Sequence, residues 1–350
     1  QYSLDSAALV KDRITSYAGE GVEYAVSTDH NFVVDYQPVL QQLGIEKHIN
    51  SAIGLELTTI DRGHFNGFPL RRAQGALTDG NIASRTYGSF EWAMRTPTEI
   101  FAALRALGLK DSVGAVQPIV LQVNHPRDSI LGYFDQYGVS ADDLSVQGQS
   151  GLLAPDPVVH PEFGKEQFNF EFDALEVFNG KRFEFLHSFR VHPDAPRVVV
   201  DGTPRFVDPV SCCEVQVGDV MREIAGRKCR PLPDGTEVDE CACNEDTFKY
   251  QLEQGNCSGG RVGDVAFPGV IEDWIKLLES GRHVVGTANS DSHEPEKDEP
   301  GCPRTYVRSP SDEPAQVRPD DIVAAFAAGD VLMTNGPFVR VSVEGDDGAK

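Results

Sequence analysis

The chain alternates between helix-spaced and strand-like hydrophobic runs. Val10, Ile14, Tyr17 and Ala18 recur at helical spacing, and Asp5 or Ser6 stands where an N-cap would. Gly19 and Gly21 end that helix, and residues 22–26 (Val-Glu-Tyr-Ala-Val) come next as a buried strand. The plan then returns. Thr96-Pro97-Thr98-Glu99 is a capping box with proline at the first helical position, opening a helix over 100–107 that Gly108 stops before a strand at 119–123. Towards the other end Arg318-Pro319-Asp320-Asp321 opens a helix over 322–328, Gly329 stops it, and 331–334 is the next strand. Further strands are expected at 53–57, 174–178 and 284–288, the last preceded by a helix over 270–278. Strands separated by helices predict an α/β fold with a mostly parallel sheet, open or closed into a barrel.

One stretch breaks the plan. From 201 to 263, proline, glycine and charge crowd together, as in Pro231-Leu232-Pro233-Asp234-Gly235, with little helical or strand period. Six of the seven cysteines fall there: Cys212, Cys213, Cys229, Cys241, Cys243 and Cys257. A segment without a hydrophobic pattern needs staples to stay ordered, which favours disulfides. Structural zinc and unpaired thiols stay open beside that reading, although no Cys-x-x-Cys pair occurs and adjacent Cys212 and Cys213 suit a tetrahedral site poorly. Disulfides imply an oxidising compartment, periplasmic or extracellular. The seventh cysteine, Cys302, is either free or a tie between this stretch and the loop at 291–303. The expected organisation is one domain over 1–350 with a cysteine-rich insertion at 201–263.

Composition sharpens this only in places. A chain of 350 residues, 40% of them hydrophobic, can bury a sizeable core. Its 54 acidic side chains outnumber 31 basic ones, for a formal charge of −23. That argues against nucleic acid as a partner, while local basic pairs still suit one small anion. No run approaches the roughly 20 apolar residues a membrane-spanning helix needs. The first residue is Gln1, so either a leader has been removed or the chain is a piece of something longer.

Candidate chemistry gathers after the strands. Thr28-Asp29-His30-Asn31 succeeds the first, and Glu56 lies in the second, with Gly63-His64-Phe65-Asn66-Gly67 behind it. Asn124-His125-Pro126, Asn179-Gly180-Lys181-Arg182 and Asn289-Ser290-Asp291-Ser292-His293 come after later strands. In a barrel those ends converge on one mouth, so residues distant in sequence can share ions. Asp291 and His293 stand two apart and would point the same way in extended chain. One such histidine is ordinary, as His48, His160, His187, His192 and His283 are expected to be; the conjunction of His30, His64, His125 and His293 with carboxylates points to a metal site. Histidine and carboxylate ligands without cysteine suit zinc, manganese or iron better than magnesium or calcium.

The order of these motifs resembles the PHP (polymerase and histidinol phosphatase) superfamily, and looks closest to its carbaryl-hydrolase-like CehA/McbA metallohydrolase branch. The likeness runs over Ser3 to Asp5, Thr28 to Asn31, Gly54-x-Glu56, Gly63-His64, Asn124 to Pro126, Glu176 to Gly180, Asp291-x-His293 and Thr334 to Pro337. It implies a distorted (β/α)7 TIM-like barrel with two or three divalent ions at its C-terminal mouth. By resemblance Asp5, His30 and His293 would hold one ion, and Glu56, His64 and His125 a second. Asp291 with Glu56 would help hold a third. The family opens on a strand bearing a His-x-His pair. Here residues 1–6 correspond to the segment just beyond that pair, so the first strand is expected to be missing and the third site weak or empty.

The expected activity is hydrolysis of a small phosphate ester by a metal-bound hydroxide, with Arg182, Lys181 or Arg304 neutralising phosphate and Asp29 relaying a proton or orienting His30. A carboxylester or carbamate hydrolase is the second reading. A non-catalytic secreted binding module on a degenerate barrel is the third. The partner in the enzymatic readings is a small molecule; the oligomeric state is open.

Overall fold

Helix α1 (Val10–Gly19) turns Ile14 inward against Leu40 of α2 (Gln37–Leu43), and Ala25, Tyr36 and Ile49 complete that apolar cluster. The structure is a computed structural model that describes residues 8–72, 95–128, 131–141, 143–146, 164–180, 269–294 and 298–336, with Ser6, Trp92 and Gly148 and the backbone of four strands between 197 and 229. The N-cap of α1 is Leu9, and no side chain caps the helix. Ser6 is committed elsewhere, its hydroxyl donating to the His293 carbonyl at 2.7 Å, while Asp5 lies outside the described residues.

β1 (Tyr24–Val26) pairs in parallel with β2 (Asn50–Ala52). β3 (Leu55–Thr58), β4 (His64–Phe68), α3 (Pro97–Arg105), β5 (Val120–Asn124), α4 (Tyr133–Gln136) and β6 (Ala174–Asn179) come next. α3 opens on the expected capping box, with Thr96 Oγ1 accepting from the Glu99 backbone and Glu99 from that of Thr96. Then come β7 (Arg197–Val200), β8 (Thr203–Val207), β9 (Cys213–Gln216) and β10 (Lys228–Cys229), an antiparallel sheet in the order β10-β9-β8-β7. The cysteine-rich stretch therefore contains strands where little period was expected, because strands of two to five residues are too short to display one. α5 (Val270–Glu279), β11 (Val285–Asn289), β12 (Arg304–Val307), α6 (Pro319–Ala328) and β13 (Val331–Thr334) complete the described elements.

The main sheet has the order β11-β6-β5-β4-β3. β11, β6 and β5 pair in parallel, as helix–strand alternation leads one to expect, whereas β4 runs antiparallel to both β5 and β3. The sheet is thus mixed. Among the described residues it, the β1–β2 pair and the antiparallel β12–β13 pair are three separate ladders, and no helix is long and apolar enough to cross a membrane.

Alternation along the sheet decides where chemistry can sit. Leu55, Leu57, Phe65, Leu121, Val123, Leu175 and Val177 project into one cluster with Ile100, Phe101 and Leu104 of α3 and Val270 and Leu277 of α5. With a period of two, Glu56, His64, Asn66, Gln122, Asn124 and Glu176 fall on the opposite face. All but Asn66 are buried as well, so this polar face lines an interior and must satisfy itself. It does so in a chain: Thr287 Oγ1 donates to Gln122, Gln122 to Asn124 and Asn124 to Asn66, each at 2.9 Å.

Candidate metal centre

Glu56 sits at the middle of the site. One carboxylate oxygen, Oε1, lies 3.2 Å from His64 Nδ1 and 3.8 Å from His125 Nε2, which are 3.1 Å from each other. The second oxygen, Oε2, lies 3.6 Å from His30 Nδ1, and His30 Nε2 is 3.3 Å from His293 Nε2. A zinc ion with bonds near 2.0–2.1 Å in a tetrahedron spaces its ligands about 3.3 Å apart, so these edges have the dimensions of a coordination shell. The ligand atoms of Glu56, His64 and His125 all lie within 4.8 Å of one another, and all three residues are buried.

Each histidine arrives by a different device. His30 is carried past the end of β1 on a loop sewn to β3: the Asn31 amide donates to the Glu56 carbonyl at 2.7 Å, and the Asn31 side chain bonds the Thr58 backbone in both directions. His64 was expected in a loop beyond a strand's C-terminal end, yet it begins β4. Because β4 runs antiparallel, its N-terminal end reaches the edge where β3 and β5 end, and His64 stands opposite Asn124. His125 comes directly after β5, its own N–H donating to Glu176 Oε2 at 2.7 Å. Three of the four non-glycine residues with positive φ among those described are here: Asn31, His125 and Asp291. Backbone held in that region costs about 1–3 kcal/mol per residue and persists where the surroundings impose it.

A contact on the far nitrogen aims each ring. His64 Nε2 faces the Thr59 carbonyl at 3.2 Å, leaving Nδ1 towards Glu56. His293 Nδ1 faces the Asp291 carbonyl at 2.8 Å, leaving Nε2 towards His30, whose Nδ1 meets the Thr58 hydroxyl. His125 Nδ1 lies 3.5 Å from Asp128, leaving Nε2 for the cluster. For His64 and His293 such partners fix which nitrogen carries the proton and which offers a lone pair. Asp291 adopts φ 48°, not the extended conformation its spacing from His293 predicts, because the ring folds back on its carbonyl.

Electrostatics are set by this packing. Burial works against the Glu56 charge, yet hydrogen bonding to His125 and His64 and the nearby His30 hold its carboxyl well below the ordinary range. Glu176 goes the other way: burial, reinforced by Asp291, raises it to about 8 despite bonds from Asn179, Asn289 and the His125 amide. Asp29 is also pushed up by burial, against the stabilising hydroxyl of Tyr36 at 3.0 Å.

The structure brings together His30, Glu56, His64, His125, His293 and, through Asn179 at 3.3 Å, Asp291. Asp29, Asp291 and Arg304 line the same cavity of about 440 Å³. Arg304 is turned to backbone, donating to the carbonyls of Gly301 and Glu20. Asp5, Lys181 and Arg182 lie outside the described residues. Cys302 is a free, exposed thiol. Sequence reasoning named Asn66, Asn124, Glu176 and Asn289 in its motifs without a role and passed over Gln122, although single polar residues alternating with Leu and Val inside strands were the available sign. No protein-family model, curated protein or solved structure matches the chain.

Proposed function

We propose that the chain is a metal-dependent hydrolase of a small phosphate ester, on a distorted (β/α)7 barrel of the PHP kind, working in an oxidising compartment. The observation that carries this reading is the Glu56 carboxylate, with one oxygen towards His64 and His125 and the other towards His30 and, beyond it, His293. A donor set of imidazole nitrogens and carboxylate oxygens at ligand-to-ligand spacing fits zinc, manganese or iron. Glu56, His64 and His125 would hold one ion, and His30 and His293, with Asp5 by resemblance, another; Asp291 stands beside them. When bound, such ions supply Lewis-acid polarisation and a water acidic enough to ionise at neutral pH.

The chain's own residues do the rest. Thr58, Thr59, Asp128 and the Asp291 carbonyl orient the four imidazoles, so the ligand atoms are set before any ion arrives. Glu56 stays ionised over the whole physiological range. Asp29, shielded beside Tyr36, keeps a proton on its carboxyl to higher pH than an exposed aspartate and is placed to pass it on next to His30.

The test is elemental analysis of the purified chain, then a panel of chromogenic phosphate and carboxylic esters with added zinc, manganese or iron. About two equivalents of metal and phosphate-ester turnover abolished in His64→Ala and His293→Ala support the proposal. Turnover of carboxylic esters or carbamates alone would move it to that second class. A chain that takes up no metal after soaking would leave the binding-module reading in its place.

A further inference from the structure

Three arginines are buried among the described residues, and two are neutralised in the usual way. Arg127 forks onto Asp273 at 2.6 and 2.7 Å and reaches Asp135, and Arg62 meets Asp61. Arg13 differs. It is only 5% exposed, yet among the described residues no carboxylate pairs with it. Its Nη1 donates to the Ser292 hydroxyl at 3.0 Å, its Cζ lies 5.9 Å from the Tyr17 ring centroid, and its Nη2 is buried with no hydrogen-bond partner among the described residues. A buried guanidinium with an open donor is costly to keep unless something anionic comes to it.

The surroundings say where that anion would sit. Arg13 lines the cavity of the candidate metal centre, and Ser292 stands between Asp291 and His293. Ser290 Oγ lies 3.4 Å from the Ser292 hydroxyl, so two hydroxyls stand where the guanidinium points. Four carboxylates that share the cavity have other partners: Asp29 has Tyr36, Asp291 has Asn179, Glu176 has Asn179 and Asn289, and Glu56 has His64. The other arginine there, Arg304, is held on backbone carbonyls.

We propose that Arg13 is the anion anchor of this cavity, its Nη2 and the Ser292 hydroxyl taking the non-bridging oxygens of a phosphate group. The implied substrate class, a small monoester with its phosphate dianion held beside His293, rests on the hydrolase reading; the anion site itself does not. Arginine suits the task because its planar fork matches the oxygens of phosphate.

Calorimetric titration with inorganic phosphate tests this on wild type, Arg13→Gln and Arg13→Lys, with metal content measured on the same samples. Phosphate affinity should fall about 10- to 100-fold in Arg13→Gln and less in Arg13→Lys, at unchanged metal content. Thermal unfolding gives a second readout: phosphate should raise the midpoint of wild type and leave that of Arg13→Met where it was. Equal phosphate affinity in wild type and Arg13→Gln, or no phosphate binding to wild type, overturns the proposal. The two readings separate cleanly. Arg13-dependent phosphate binding by a chain that takes up no metal keeps the anchor and sinks the hydrolase, while ester turnover with phosphate affinity indifferent to Arg13 does the reverse.

Discussion

Two buried glutamates on the same polar face have opposite electrostatic fates. Glu56 is surrounded by three imidazoles and stays charged, whereas Glu176 faces amides and the Asp291 carboxylate. In metal-free protein the consequence is a pH dependence with a definite sign. The Glu176 carboxyl moves from its ordinary value of 4.5 up to about 8, so between those values the folded chain holds a proton that the unfolded chain has released. Stability therefore falls as pH rises through that window, by up to about 1.4 kcal/mol per unit. Glu56, shifted downward, contributes stability that is lost only at lower pH, as its folded carboxyl protonates. Denaturant unfolding of chelator-treated wild type and Glu176→Gln from pH 5 to 8 should show the decline in the first and a much shallower one in the second, where the upward shift of Asp29 remains. Parallel curves would remove Glu176 as the cause.

At the scale of elements, the turn between β3 and β4 carries the most consequence, since it places His64. Gly63 has φ +85°, and a Cβ there would meet the Cβ of fully buried Tyr133 at 2.5 Å. Gly63→Ala should cost about 2–4 kcal/mol and weaken metal uptake, because the clash is relieved only by moving the start of β4. Wild-type stability in that variant would mean the turn has slack. In the small antiparallel sheet, the register of β9 and β10 sets Cys213 directly opposite Cys229. Cross-strand neighbours have Cα atoms about 4.5–5.5 Å apart, within the span of a disulfide. Peptide mapping of unreduced protein should recover a fragment linking Cys213 to Cys229, and its loss on reduction identifies the bond. Recovery of both as free thiols would count against the oxidising compartment.

Across the whole molecule, Arg127 ties the site to the scaffold. It lies two residues after His125, yet its guanidinium is bound to Asp273 of α5, to Asp135 of α4 and to the Val139 carbonyl, all out of solvent. Its Cζ also lies 5.3 Å from the Phe134 ring centroid. Arg127→Met leaves the Asp273 carboxylate buried without its counter-charge and should cost about 3–5 kcal/mol. Adding Asp273→Leu removes the stranded charge and should restore much of that loss, which a double-mutant cycle by denaturant unfolding measures. A double variant no better than the single one would place the cost in lost packing against Phe134.

Helices and strands were legible because they depend on local signals. Proline at a first helical position with a capping box, glycine after the last turn and compact apolar runs fix α3, α6, β5 and β13 within three residues. The residues gathered around Glu56, namely His30, His64, His125 and His293, were legible too, as residue types near strand ends. The chain alone left β4 open, since a strand running against its neighbours has no helix before it to announce it. Only tertiary pairing brought the start of β4 to the edge where β3 and β5 end, and so His64 to Glu56. Arg13 was hidden for a related reason: on its helix it occupies one more polar position, and its meaning lies in the lack, among the described residues, of a carboxylate paired with it. Local sequence determines which backbone a segment prefers and which donors it carries. Which charges are left uncompensated depends on residues hundreds of positions away, and that the packing of the sheet against its helices decided.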